Sequence, residues 1–245
     1  MPILVEKHNL VVPGTLLADG DYRALRGTYQ DGTKIYSAVI GLADTRGQTI
    51  SVVPLQGGYH PEEGDVVIGT ITGVRLTAWH VDIRAPYDGI LSVSNYLERS
   101  RDRGFQREDD ISRFLNIGDV IFAKIIVFDR TRDPLLNTQE RGLGKLTGGQ
   151  IIDILPTKVP RIIGRKGSMI NLLKRETKTR VLVGQNGRVW IQGQTFDDES
   201  IVVHAIKKIE REAHTSGLTD RITELIHEEK EKLEARRHEN DAKEE

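Results

Sequence analysis

Ile162-Ile163-Gly164-Arg165-Lys166-Gly167-Ser168-Met169-Ile170 is the stretch on which the reading of this chain turns. Two glycines three residues apart let the backbone come close to a ligand without Cβ interference, and Arg165 and Lys166 stand between them at the tip. The residues that follow, Asn171-Leu172-Leu173-Lys174-Arg175-Glu176-Thr177, read as a helix whose first amides lack intrahelical partners and can face an anion. A tight backbone turn, two cations and a helix start in one place suit a sugar-phosphate strand.

The flanking sequence gives this loop a setting. Ile151-Ile152-Asp153-Ile154-Leu155 reads as a strand, and Pro160 is placed to open a short helix ending at Gly164. After the helix over 168–177 come two strands, Arg180-Val181-Leu182-Val183-Gly184 and Arg188-Val189-Trp190-Ile191-Gln192, joined at the turn dipeptide Asn186-Gly187. Ile201, Val202, Ala205, Ile206 and Ile209 then recur at helical spacing. The order strand-helix-helix-strand-strand-helix, with Ile-Gly-x-x-Gly-x-x-Ile at the helix junction, resembles the type I KH domain over residues 149–216. The resemblance implies a groove that clamps about four nucleotides of single-stranded RNA. The candidate contacts are Arg161, Ile163, Gly164, Arg165, Lys166, Gly167, Ile170 and Lys174.

Charge falls where this reading needs it. The 245 residues carry a net charge of −1, but residues 149–216 carry +5 and residues 217–245 carry −4, while 1–63 carry −2 and 64–148 are balanced. Lysine and arginine gain affinity for a polyanion by releasing its condensed counterions, so the third segment is where RNA is expected. The chain has no cysteine, which excludes disulfide frameworks, zinc ribbons and cysteine nucleophiles. No apolar run reaches the length of a membrane span, and the first residues do not resemble a secretory signal, so a cytoplasmic protein without membrane contact is expected.

The middle of the chain echoes itself. Gly64-Asp65-Val66-Val67-Ile68-Gly69-Thr70-Ile71 and Gly118-Asp119-Val120-Ile121-Phe122-Ala123-Lys124-Ile125 are both Gly-Asp turns that launch long apolar strands. Ala78-Trp79-His80-Val81-Asp82-Ile83, Gly89-Ile90-Leu91-Ser92-Val93 and Leu135-Leu136-Asn137-Thr138 bring the count to five. Together with Asp88-Gly89-Ile90-Leu91 before a longer connection, this resembles the S1-type RNA-binding domain, a five-stranded OB-fold barrel, over residues 64–145. Two positions depart from that pattern: Thr77-Ala78-Trp79-His80-Val81 replaces a Gly-aromatic-Val stretch, and Ser92 stands where a histidine is usual. Such barrels stack bases on aromatic faces, which makes Trp79, His80 and Tyr87 candidates, with Lys124 and Arg130 for phosphates. Strand alternation puts Trp79 and His80 on opposite faces, so at least one of them packs inward. The connection from Asn95 to Asn116 interleaves Arg99, Arg101, Arg103, Arg107 and Arg113 with acidic residues, a solvated mixed-charge segment with room for phosphate contacts.

Residues 1–60 read as a small β domain of short hairpins. Leu10-Val11-Val12, Ile35-Tyr36-Ser37-Ala38-Val39-Ile40 and Thr49-Ile50-Ser51-Val52-Val53 are its strands, with Asp31-Gly32 and Arg46-Gly47 as turns. No catalytic side chains cluster there, and a docking module is the expectation. A boundary follows at Gly57-Gly58-Tyr59-His60-Pro61.

Competing chemistries fail on spacing. Gly142-Leu143-Gly144-Lys145-Leu146-Thr147 lacks the first glycine and the hydroxyl after lysine of a P-loop, and reads as a linker. Asp197-Asp198-Glu199 precedes a helix, where acidic residues cap free amides. His227-Glu228-Glu229 lacks the second histidine of a zinc protease helix. No cofactor, metal site or catalytic residue is expected. Residues 217–245 open as an amphipathic helix, with Ile222, Leu225, Ile226 and Leu233, and fade into charge.

A β-rich unit, an S1-type barrel and a KH domain in that order resemble the S1/KH cap subunit of the archaeal RNA exosome over nearly the full length. Val11-Val12-Pro13-Gly14-Thr15-Leu16-Leu17-Ala18, Gly27-Thr28-Tyr29 and Lys34-Ile35-Tyr36-Ser37 carry that resemblance in the first unit. It implies a non-catalytic subunit, present in three copies on a ring of RNase PH-type partners, that captures single-stranded RNA and guides its 3′ end inward. A free S1/KH transcription or translation factor is the alternative, though a bacterial-type factor would show two Gly-x-x-Gly units. A stand-alone ribonuclease is the second, and no carboxylate cluster supports it.

Overall fold

The computed structural model describes residues 3–55, 57–97, 111–129, 131–213, 215 and 217–244, with side chains to residue 233 and at 235. The chain divides into two compact units, 1–57 and 58–245.

The first unit is all β. Its strands are β1 (Leu10–Val11), β2 (Leu16–Asp19), β3 (Arg23–Ala24), β4 (Thr28–Asp31), β5 (Lys34–Ser37), β6 (Gly41–Arg46) and β7 (Thr49–Pro54). They form two small sheets, ordered β1-β6-β7-β3 and β2-β5-β4. Gly32 and Gly47 open the two-residue hairpin loops at φ near +59°, as the dipeptides at 31–32 and 46–47 predict. Val11, Leu17, Ala18, Ile35, Ala43, Ile50 and Val52 fill the core. One expectation is corrected: residues 35–40 are not a single strand. β5 stops at Ser37, whose buried hydroxyl donates to the Val39 carbonyl (2.6 Å), and the chain turns before β6 begins at Gly41.

In the second unit a barrel comes first. It comprises β8 (Val66–Val74), β9 (Ala78–Asp82), β10 (Gly89–Ser92), a one-turn helix α1 (Val93–Tyr96), β11 (Val120–Val127), β12 (Leu135–Asn137) and β13 (Gly144–Leu146). β12 pairs parallel to β10 and antiparallel to the last residues of β11, which closes the five strands on themselves and leaves the first residues of β11 open on that side. Period-2 alternation sends Val67, Ile71, Trp79, Val81, Leu91, Ile121, Ala123, Ile125 and Leu136 inward. The departure at Ser92 has a local cause: its side chain accepts from the Asn95 amide and caps α1. The residues read as a linker at 142–147 instead supply β13, a sixth strand on β11, where Lys145 pairs with Asp119 (2.6 Å).

The KH segment follows as β14 (Gln150–Asp153), α2 (Val159–Ile163), α3 (Ser168–Thr177), β15 (Arg180–Val183), β16 (Arg188–Gln192), α4 (Phe196–Arg211) and α5 (Leu218–Glu244). The sheet order β14-β16-β15, antiparallel throughout, with three helices on one face, is the type I KH arrangement. Thr195 and Asp198 form a reciprocal capping box at the start of α4, so the acidic triplet at 197–199 serves the helix terminus as expected. α5 is more than a tail: Leu218, Ile222 and Ile226 are buried in the same core as α4 and the sheet.

Barrel and KH segment are joined by a polar seam. The loop between β15 and β16 spans residues 184–187 and contains the expected turn dipeptide Asn186-Gly187. It docks on the first residues of β8, beyond that strand's pairing with β9. The Gln185 amide donates to the Val66 carbonyl (2.8 Å), and its side-chain carbonyl accepts from the Val66 amide (2.7 Å). Asn186, with 0% exposure, donates to the carbonyls of Ile68 (2.7 Å) and Ile83 (3.0 Å) and accepts from the Ile68 amide (3.3 Å). Beside it Arg188 donates to the Asp82 carboxylate (2.5 Å) and carbonyl (2.7 Å), while Arg84 reaches the carbonyls of Ile154 (2.8 Å) and Gly187 (3.3 Å). Burial pushes the Asp82 carboxyl up, but the Arg188 and Arg84 hydrogen bonds and charges outweigh it and hold the group below the usual carboxylate range.

Candidate RNA interface

Between α2 and α3 the chain makes the sharp turn that the two glycines foretell. Gly164 has φ 75°, ψ 174°, Lys166 has φ 51° and Gly167 has φ 78°. Gly164 is obligatory on two counts, since a Cβ there would lie 2.7 Å from the Met169 amide nitrogen in a backbone conformation that L residues avoid. Lys166, a non-glycine residue in the left-handed region, holds an uncommon conformation that aims the tip outward. No side chain caps the start of α3, and its first amide, that of Ser168, donates to the Arg165 carbonyl within the loop.

The structure gathers the predicted KH residues around this turn. Arg161, Arg165 and Lys166 are exposed; Ile163 and Ile170 are half-buried with one side against the core; Lys174 follows Ile170 one turn along α3. Burial pushes the Lys174 ammonium below the usual lysine range, and nearby Arg180 pushes it the same way. The result is an apolar floor, two glycine edges and a row of cations, the surface a single strand needs for its bases and phosphates.

The barrel candidates are not gathered in this way. Trp79 is corrected outright: it is 0% exposed, its indole N–H donates to the Leu115 carbonyl (3.0 Å), and it packs edge-on against Tyr96. It anchors the barrel core and offers no face to a base. His80, on the opposite face of β9, is half-buried and accepts from Arg75 Nε (3.3 Å). Tyr87 packs edge-on against Phe128 at 5.2 Å between ring centres. Lys124 lies on β11, two strands from β9, and is paired with Glu140 (2.7 Å). Arg130 lies outside the described residues, as do Arg99, Arg101, Arg103 and Arg107; Arg113 sits 4.7 Å over the Phe114 ring. Among the described residues no three histidines or carboxylates form a metal-binding group, and no helix is long and apolar enough to cross a membrane.

Two features escaped the sequence reading. Arg180 lies over the Trp190 ring, 5.6 Å from its centre, on the sheet face opposite the helical core. In the first unit, Leu10, Leu42 and Val53 are directly opposed across β1, β6 and β7, and the outer two are 64% and 52% exposed. Val12, Ile40 and Leu55 are exposed as well. Alternation in each strand contained this signal, but only pairing shows that the outward residues share one row.

Comparison with known proteins agrees with the geometry segment by segment. Residues 8–56 match the family model for the exosome RNA binding protein RRP4 N-terminal domain, residues 58–126 that for the RRP4 S1 domain, and residues 149–195 that for a KH domain. Exosome complex component Rrp4 of Pyrococcus abyssi is 47% identical over 226 residues, covering 91% of this chain and 84% of that protein. The component of the same name from Saccharolobus solfataricus is 41% identical over 229 residues, covering 92% and 90%. A crystal structure described as an exosome complex RNA-binding protein superposes with a TM-score of 0.65 at 46% identity, covering 71% of this chain and 98% of that one. The chain belongs to the Rrp4 family of exosome components.

Proposed function

We propose that this chain is the RNA-binding cap subunit of an exosome, which captures single-stranded RNA and guides its 3′ end into a phosphorolytic ring of RNase PH-type subunits. The observation that carries the reading is the Gly164–Gly167 turn, with exposed Arg165 and Lys166 at its tip, in a chain of the Rrp4 family. The barrel and the KH segment present RNA; cleavage belongs to the ring, in the cytoplasm. Three copies per ring follow the arrangement that the resemblance implies. The apolar row at Leu10, Leu42 and Val53 is the face by which the first unit docks, since a contiguous exposed apolar patch marks an interaction surface.

Purification of the tagged chain from its native host tests this reading. RNase PH-like proteins are expected in the same particle. The chain purified alone is expected to bind unstructured RNA and to leave it intact with added phosphate or Mg²⁺. Recovery of the chain free of ring proteins, or turnover by a clean preparation, contradicts the proposal.

A further inference from the structure

The second sheet of the first unit carries an aromatic pair that the core does not use. β2, β5 and β4 set Leu16, Tyr36 and Tyr29 directly opposite one another across three strands. Alternation turns Ile35 into the core and leaves Tyr36 and its neighbours in the row on the other face. Neither tyrosine belongs to the core cluster of the unit or packs against it.

The two rings lie within 17° of parallel with their centres 5.3 Å apart, the offset stack that aromatic quadrupoles favour. β4 is the last strand of its sheet, so no side chain from a further strand follows Tyr29 in the row. One face of Tyr29 rests on Tyr36, and the residue stays 47% exposed. The next row on this face is Asp19, Lys34 and Asp31, in register across the same strands, so the platform is not a cationic one. The aliphatic row at Leu10, Leu42 and Val53 offers a protein partner volume to bury. A bare ring at the end of a stack offers something different, a flat partner for one more planar group, and every nucleobase has such a π-face.

We propose that Tyr29, backed by Tyr36, is a stacking platform for a nucleobase of single-stranded RNA, a contact made by the first unit and independent of the glycine loop. Tyr29 touches the base, and Tyr36 is a positioning residue that holds the outer ring flat, so that less freedom is lost when the base settles. The platform differs from the loop in its physical signature. Phosphate contacts release counterions and carry the salt dependence of binding, whereas stacking adds affinity without adding to that dependence.

The test uses the full chain and a long unstructured RNA that carries 5-iodouridine, a base that joins photochemically to an aromatic ring stacked on it. Irradiation of the wild-type complex is expected to join the RNA to Tyr29. Tyr29→Leu should weaken binding about fivefold or more, the lower end of one base–aromatic stack, with the slope of log K against log salt unchanged. Tyr29→Phe should keep the wild-type affinity, and Tyr36→Leu should lose part of it. A melting curve of Tyr29→Leu equal to that of wild type excludes misfolding; should it differ, the cross-link map of the wild-type chain and the affinity of Tyr29→Phe decide. RNA joined to other residues and not to Tyr29, or equal affinity of Tyr29→Leu and wild type, overturns the platform. Loss of ring proteins from Tyr29→Leu in co-purification, with the RNA affinity of the isolated chain unchanged, gives the face to a protein partner and overturns it as well.

Discussion

Asn186 shows how much one side chain can hold at the junction of two domains. Its amide group satisfies three backbone groups of the barrel, at Ile68 and Ile83, with no exposure to water. Asn186→Ala leaves those groups buried without partners, and each unsatisfied group costs about 1–3 kcal/mol. Thermal or urea unfolding should report a loss of about 3 kcal/mol or more. Trp79→Ala should cost a similar amount, about 3–5 kcal/mol, through an unfilled barrel core, while RNA affinity of the surviving folded fraction stays at the wild-type level. A selective loss of RNA binding in a fully stable Trp79→Ala chain would restore this residue to the interface.

At the scale of elements, β8 is the strand on which both halves of the second unit depend. Its middle pairs with β9 and β11, and its first residues are completed by the 184–187 loop of the KH segment. Asp82 lies at the same seam with a lowered pKa, so its contribution to stability is present above the unfolded value, about 3.9, and is lost as pH falls through the folded one. Asp82→Asn should therefore melt earlier than wild type at pH 7, with the difference shrinking at pH 3. A difference that does not narrow in acid would remove Asp82–Arg188 from the seam. The sequence made these elements legible where local rules decide them: the Gly-Asp strand launches, the turns at Gly32 and Gly47, the capping acids at 197–199 and the loop at 164–167. It hid what depends on distant partners. Asn186 has the composition of a turn and the role of a bridge; residues 144–146 are a strand only because β11 offers an edge; Trp79 is a core residue because the connection to β11 folds Leu115 over it.

At the scale of the whole molecule the labour is divided between surfaces of opposite character. The first unit offers an apolar row, and the second a cationic groove braced by the barrel seam. Leu10→Asp/Val53→Asp should leave RNA affinity unchanged and release the chain from its ring partners in co-purification. Retention on the ring would place docking elsewhere. The central claim, that the turn at Gly164 and Gly167 grips an RNA backbone, is tested most directly by the salt dependence of binding to an unstructured RNA. Arg165→Asp/Lys166→Asp is predicted to flatten the slope of log K against log salt by about 1.4 or more, at roughly 0.7 per single-strand phosphate contact, with the melting curve preserved. A slope identical to wild type would contradict the account.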